Sequence, residues 1–162
     1  MNRKADIYYE TFESPLGVLA LVFSGKTLAE IRFEGEEKPL YPRGKGPEQF
    51  RKQLKDYFSG ALKEFHQPVL FLSGTDFEKK VWLSLKEVPY GETRTYKWLA
   101  ERVGSPKGSR AVGQALSRNP IPIVLPCHRV IESDGSLGGY SGGVGVKRRL
   151  LDMEYYYLVG GK

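Results

Sequence analysis

The chain has 162 residues, 40% hydrophobic and 27% charged, enough apolar material for a buried core in one domain or two small ones. Its net charge of +6 is uneven: residues 1–74 carry 11 basic and 10 acidic side chains, residues 75–162 carry 14 and 9, so an anionic partner is sought first in the second half. The lone cysteine, Cys127, excludes an intrachain disulfide, and with only His66 and His128 beside it gives no basis for a Cys/His zinc site.

The first third predicts a short antiparallel sheet. Asp6–Thr11, Gly17–Phe23 and Thr27–Phe33 are rich in Ile, Val, Leu, Tyr and Phe, with turn residues at Ser14-Pro15-Leu16-Gly17 and Ser24-Gly25-Lys26. Glu34 to Pro47 is polar and rich in Pro and Gly, a surface loop. Pro47 opens a helix to about Phe58, where Phe50, Leu54, Tyr57 and Phe58 repeat at helical spacing and Gly60 stops it. Leu62–Leu72 is one more extended segment, and Ser73-Gly74 is a linker.

The second half changes to helices. Thr75 or Asp76 caps a helix through about Val88, with Phe77, Val81, Leu85 and Val88 on its apolar face and Lys79, Lys80 and Lys86 exposed. A second helix, about Tyr96–Val103, buries Trp98, Leu99 and Val103 and ends at Gly104. Ser105-Pro106 starts a third, Pro106–Arg118. Ala111, Val112, Ala115 and Leu116 form its apolar side, and Lys107, Arg110, Gln114 and Arg118 a basic one. Two readings fit this pair equally: a helix-turn-helix, or a helical hairpin with a solvated charged face. Gly135–Gly145 is a glycine-rich loop leading to a last helix, about Gly143–Glu154.

Residues 121–130, Ile-Pro-Ile-Val-Leu-Pro-Cys-His-Arg-Val, hold the cysteine at the end of a constrained apolar run. A free cysteine is often a small core residue. Here His128 and Arg129 adjoin it, and a base or a positive neighbour lowers a thiol pKa and favours thiolate. Adjacent side chains in an extended chain point apart, so a bridging water between Cys127 and His128 is expected rather than a direct hydrogen bond. A reactive and a structural cysteine both remain open on these grounds.

Pro126-Cys127-His128-Arg129-Val130 resembles the signature of the O6-alkylguanine-DNA alkyltransferases, suicide DNA-repair proteins. The resemblance continues through Gly91-Glu92-Thr93-Arg94-Thr95-Tyr96 and Leu99-Ala100, then Ser109-Arg110-Ala111-Val112-Gly113 and Arg118-Asn119-Pro120. It resumes at Gly138-Gly139-Tyr140-Ser141-Gly142-Gly143 and at Lys147, Leu150, Leu151 and Glu154. Residues 75–154 carry it; residues 1–74 match only in kind.

The resemblance implies an α+β protein. A small N-terminal antiparallel sheet domain of ribonuclease-H-like topology (1–74) would precede a mainly helical, winged-helix-like domain with a helix-turn-helix (75–162). The latter would bind DNA and accept the alkyl group. Cys127 would take the alkyl group from guanine O6, methyl above all, with O4-alkylthymine as a second lesion. His128 would act as base through water, Glu154 would orient it, and Tyr96 would donate a proton toward guanine N3. The carbonyls of Cys127 and Val130 would accept from the guanine amino group, and the Ser141 loop would donate to O6. Asn119 would hold the turn between recognition helix and active site, while Pro122, Tyr140 and Gly138 would wall the pocket. Tyr96, Tyr140, Ser141 and Glu154 carry no such meaning singly; the joint match assigns them.

The same resemblance makes Arg110 the side chain that fills the space of a flipped nucleotide, entering from the minor groove. Gly108, Ala111 and Gly113 are small enough to let that helix approach the groove, with Gln114 on its polar side. Arg94, Lys107 and Arg118 are candidate phosphate contacts. Some relatives carry a structural zinc in the N-terminal domain; this chain lacks the cysteines, so neither metal nor cofactor is expected.

The expected partner is double-stranded DNA bearing O6-alkylguanine, bound by a monomer that could act cooperatively. The N-terminus is too polar for a signal peptide, and no apolar run approaches the roughly 18–20 residues of a membrane span, so a cytoplasmic protein is expected, with the nucleoid in a prokaryote or in a eukaryotic nucleus. The alternatives are a lesion-binding protein without a nucleophile, which the presence of Cys127 disfavours, and a helix-turn-helix regulator, which has no dimerisation signal here. A cysteine hydrolase is disfavoured by the adjacent Cys and His.

Overall fold

The computed structural model describes residues 6–161, which divide into two compact units between Leu72 and Ser73. The first is a three-stranded antiparallel meander, β1 (Ile7–Ser14), β2 (Gly17–Ser24) and β3 (Thr27–Arg32), followed by helix α1 (Glu48–Phe58). β1 pairs with β2 along its whole length, from Ile7 opposite Ser24 to Ser14 opposite Gly17. A bulge at Val22/Phe23 shifts the register with β3.

Helix α1 turns Phe50, Leu54 and Tyr57 inward, and Phe50 meets Phe23 edge-on with ring centroids 6.1 Å apart. Ile7, Val22 and Ala29 form a second cluster, packed by Tyr9, Tyr41 and Leu70. Both sheet edges are covered. The loop expected over residues 34–47 runs along β1, where Tyr9 donates its backbone N–H to Pro42 at 3.0 Å. The segment expected to be extended over residues 62–72 makes one bridge to β3, Leu28 with Val69.

The second unit opens with α2 (Asp76–Ser84), where Thr75 and Glu78 form a reciprocal capping box. The helix ends earlier than Val88 because Leu85–Glu87 tightens into a 3-10 turn. Strand β4 (Arg94–Thr95) leads straight into α3 (Tyr96–Arg102), and α4 (Ser109–Ser117) follows. A 3-10 turn, Cys127–Arg129, runs into β5 (Val130–Ile131), and α5 (Val144–Leu158) closes the unit. Trp82 on α2 ties α4 down by donating its indole N–H to the Ala115 carbonyl at 2.7 Å.

The structure corrects three further expectations. Helix α4 starts at Ser109, not Pro106, because Ser105–Gly108 closes a turn of its own, Gly108 N–H to Ser105 carbonyl at 2.8 Å. Ser105-Pro106 is thus a turn signal rather than a cap. Ala111 is exposed beside Arg110 and Gln114 rather than on the buried side with Val112, Ala115 and Leu116. Trp98 is only half-buried, its ring covered by the guanidinium groups of Arg94 and Arg102 at 5.6 and 5.9 Å.

Candidate active site

The site is assembled by the smallest sheet in the molecule. β4 and β5 pair in parallel, Arg94 opposite Val130 and Thr95 opposite Ile131. Tyr96 directly follows β4 and Cys127-His128-Arg129 directly precedes β5, so two backbone pairings bring chain segments more than 30 residues apart into one place.

The cysteine is delivered by a wholly buried run, residues 121–130. Ile123 within it has φ 75, a left-handed conformation that costs a β-branched residue about 1–3 kcal/mol. Asn119 offsets this. Its side-chain amide donates to the Leu125 carbonyl at 2.9 Å, and its carbonyl accepts from Ile121 N–H at 3.0 Å.

Cys127, Tyr96, Tyr140 and Ser141 line a single pocket of about 200 Å³, together with Gly113, Leu116, Ser117 and Gly139. That volume suits one small flat group rather than a drug-sized ligand. Pro122 lies in the buried run and outside this lining. Gly138 has φ 73 and lies against the Tyr96 phenol, where any Cβ would fall 2.6 Å from the hydroxyl oxygen. Gly139 faces the pocket instead.

Arg110, Gly113 and Ser117 fall at i, i+3 and i+7 on α4, so the exposed Arg110 heads the stripe whose lower members edge the pocket. Gln114 and Lys107 are exposed nearby in the chain. Arg118 bonds Glu78 at 3.1 Å and Arg94 bonds Glu92 at 3.0 Å, so both phosphate candidates have acidic partners already.

Behind the pocket lies a buried charge cluster. Glu154, fully buried on α5, accepts from His128 Nε2 at 2.7 Å, from Arg129 Nε and Nη2 at 2.9 and 3.0 Å, and from Gly91 N–H at 3.2 Å. Burial alone pushes its carboxyl up, but His128 and the forked Arg129 guanidinium outweigh that and hold it well below the usual carboxylate range. Burial pushes the His128 imidazole down, and its contacts with Glu154 offset this only in part. A neutral ring facing a carboxylate through Nε2 donates there, which leaves Nδ1 as the lone-pair acceptor. Nδ1 is buried and has no hydrogen-bond partner among the described residues.

The thiol departs from expectation. Burial pushes Cys127 up to about 11, and the Asn119 amide and the Lys147 charge offset only part of it. The expected positive neighbour, Arg129, spends its guanidinium on Glu154 and the Val88 carbonyl rather than on sulfur. The resting group is therefore a thiol. Burial also raises the Tyr96 phenol above its ordinary value, keeping it a proton donor.

The chain matches the family model described as 6-O-methylguanine DNA methyltransferase, DNA binding domain, over residues 76–156. It also matches the ribonuclease-like domain of the same methyltransferase over residues 7–71. The chain belongs to this family. It is 47% identical to the methylated-DNA–protein-cysteine methyltransferase of Methanosarcina acetivorans over 91% of this chain and 98% of that one. It is 43% identical to the Mycobacterium tuberculosis protein of the same name over 91% and 92%. A crystal structure of Mycobacterium tuberculosis OGT in complex with DNA superposes with a TM-score of 0.88 at 41% identity, covering 93% of this chain and 94% of that one. The α+β architecture, a three-stranded sheet unit before a helical one, is that of the family.

Lys147 and Arg129 make contacts that their place in the motifs does not announce. Lys147 is buried, with its ammonium donating to the carbonyls of Val130 at 2.7 Å, of Leu137, and of Gly139 at 3.3 Å. It thereby holds the glycine-rich loop and one carbonyl expected to meet the substrate. Its signal was available: Lys147, Leu150 and Glu154 share one stripe of α5 at i, i+3 and i+7. Arg129 has no such signal, since its partner lies 25 residues away. Among the described residues no helix is long and apolar enough to cross a membrane.

Proposed function

We propose that the protein repairs DNA by moving the alkyl group of O6-alkylguanine irreversibly onto its own Cys127. One observation carries the reading: Cys127 and Tyr96 line the same base-sized pocket, beside a buried base, His128, whose Nδ1 is its only open acceptor. The Cys127 sulfur attacks the alkyl carbon, a carbon–sulfur bond forms, and the carbon–O6 bond breaks. The thiol proton passes by way of water to His128 Nδ1, and Tyr96 donates toward N3 of the departing guanine. A thiol that rests protonated is inert until that base acts on it, which suits a nucleophile used once.

The target carbon is inside a stacked duplex, so the nucleotide must be turned out at a cost of about a few kcal/mol. Arg110, at the head of the stripe leading to the pocket, fills the gap it leaves. Val130, Ser141, Tyr140 and Asn119 hold the extruded base or shape its site. Lys107, Arg94 and Arg118 contact phosphates, the latter two by exchanging their acidic partners. The protein works as a monomer on double-stranded DNA, in the cytoplasm at the nucleoid of a prokaryote or in a nucleus.

Titrating duplex DNA with one O6-methylguanine per strand pair tests this. Methyl removal stops at one per protein molecule; continuing turnover would contradict the reading, and binding without removal would favour a lesion-binding protein.

A further inference from the structure

Arg129 is the guanidinium of the buried cluster, and the transfer just described gives it no part. Its guanidinium grips both oxygens of Glu154, at 2.9 and 3.0 Å, and its remaining arm donates to the Val88 carbonyl at 2.8 Å. The groups that face Glu154 include Arg129 and His128 from the 3-10 turn and Gly91 N–H, and its charge also reaches Tyr90, over whose ring Arg129 lies at 5.6 Å. Lys147 lies two turns back on α5 and acts on His128. Arg129 is thus a cation in direct contact with both oxygens of the carboxylate.

A carboxylate fully removed from water stays ionised only with such a partner; without it, it takes up a proton. A protonated Glu154 would have a hydrogen to donate. Facing His128 Nε2 at 2.7 Å, it would give that hydrogen to the ring, and the ring's own proton would then sit on Nδ1. That is the nitrogen that must be empty to receive the thiol proton.

We infer that Arg129 is a positioning residue that, by holding both oxygens of Glu154, fixes the His128 proton on Nε2 and keeps Nδ1 open as the base. The inference rests on the alkyl-transfer reading above. Arg129 acts through two intermediaries and touches neither substrate nor sulfur. A fork binding both carboxylate oxygens suits the task better than a point charge, because it blocks the site where a proton would add.

The test uses the full chain, with ¹⁵N-imidazole spectra of His128 and transfer from the free base O6-benzylguanine, which needs no DNA binding. Both are followed from about pH 6 to about pH 9. Wild type should show a ring protonated on Nε2 and open at Nδ1 from neutral pH upward. Arg129→Gln should show the proton on Nδ1, lose about 100-fold in rate at neutral pH, and regain rate as rising pH ionises Glu154. Arg129→Lys should keep the Nε2 proton and recover most of the neutral-pH rate.

A wild-type ring protonated on Nδ1 would overturn the inference. So would an Arg129→Gln rate lowered by one factor at every pH with the Nε2 proton retained, the mark of a purely structural role. Because the Arg129→Lys and wild-type spectra stand by themselves, a misfolded Gln variant leaves the inference exposed to both. A wild type that takes no benzyl group onto Cys127 would instead end the alkyl-transfer reading, and the spectra would still report on Arg129.

Discussion

The ammonium of Lys147 lies 2.7 Å from the Val130 carbonyl and reaches the carbonyls of Leu137 and Gly139 as well, joining α5, β5 and the pocket loop through one buried cation. It also lies 5.7 Å from the centre of the Tyr96 ring. Replacing Lys147 by Met keeps the apolar stem and removes the donors. Leaving buried carbonyls unpaired costs on the order of 2 kcal/mol, so urea denaturation should show that loss. The loop carrying Gly139, Tyr140 and Ser141 should exchange its amide hydrogens faster. Unchanged exchange there would mean that the glycine-rich loop holds its shape unaided.

A thiol raised by burial has a signature in its chemistry. An ordinary cysteine, with pKa about 8.5, reaches full reactivity by about pH 9.5. Cys127, pushed up to about 11, stays protonated over that range. Iodoacetamide labelling of the DNA-free protein should be slow near neutrality and still climbing at about pH 10. A plateau at or below about pH 8 would show a thiolate already formed at rest.

His128 sets the behaviour in acid. Its folded pKa lies below the ordinary 6.5, so the unfolded chain binds a proton that the folded chain refuses. The stability this group lends is present above about pH 6.5 and is lost as pH falls below it. Glu154, also depressed, adds a further loss as pH falls below the ordinary 4.5. Stability in denaturation should therefore drop as pH falls below about 6.5. His128→Gln should flatten that slope above about pH 5; an equal slope in both proteins would assign it to other groups.

Much of the site was legible because its residues sit in short motifs. Cys127 and His128 adjoin, Tyr140 and Ser141 lie in one glycine-rich loop, and Tyr96 starts a helix behind a recognisable turn. The strands, α1 and the α2 cap were legible too, from alternation, helical spacing and Thr75. What escaped is what chain spacing does not encode. The pairing of β4 with β5 involves two residues on each side, too few for any pattern. Arg129 reads as a positive neighbour of the thiol, yet the 3-10 turn directs it to Glu154. The start of α4 is not encoded by Ser105-Pro106, because Ser-Pro serves turns as well as caps. Nor is the exposure of Ala111, since exposure depends on how α2 and α3 seat against α4.

Arg110 offers a test of how the lesion reaches the pocket. Arg110→Ala removes an exposed side chain at the surface of α4, so thermal stability should move little. Repair of O6-methylguanine in duplex DNA should slow by about tenfold or more, while reaction with free O6-benzylguanine should hold steady. An equal loss on both would remove Arg110 from nucleotide extrusion and make it part of the pocket.

Locating the alkyl group decides whether Cys127 is its acceptor. The protein is incubated with duplex DNA containing O6-methylguanine, digested, and its peptides weighed. The peptide carrying Cys127 should gain one methyl group per protein, and Cys127→Ser should gain none while still binding the DNA. Methyl groups on another residue, or guanine restored with the protein unchanged, would contradict it.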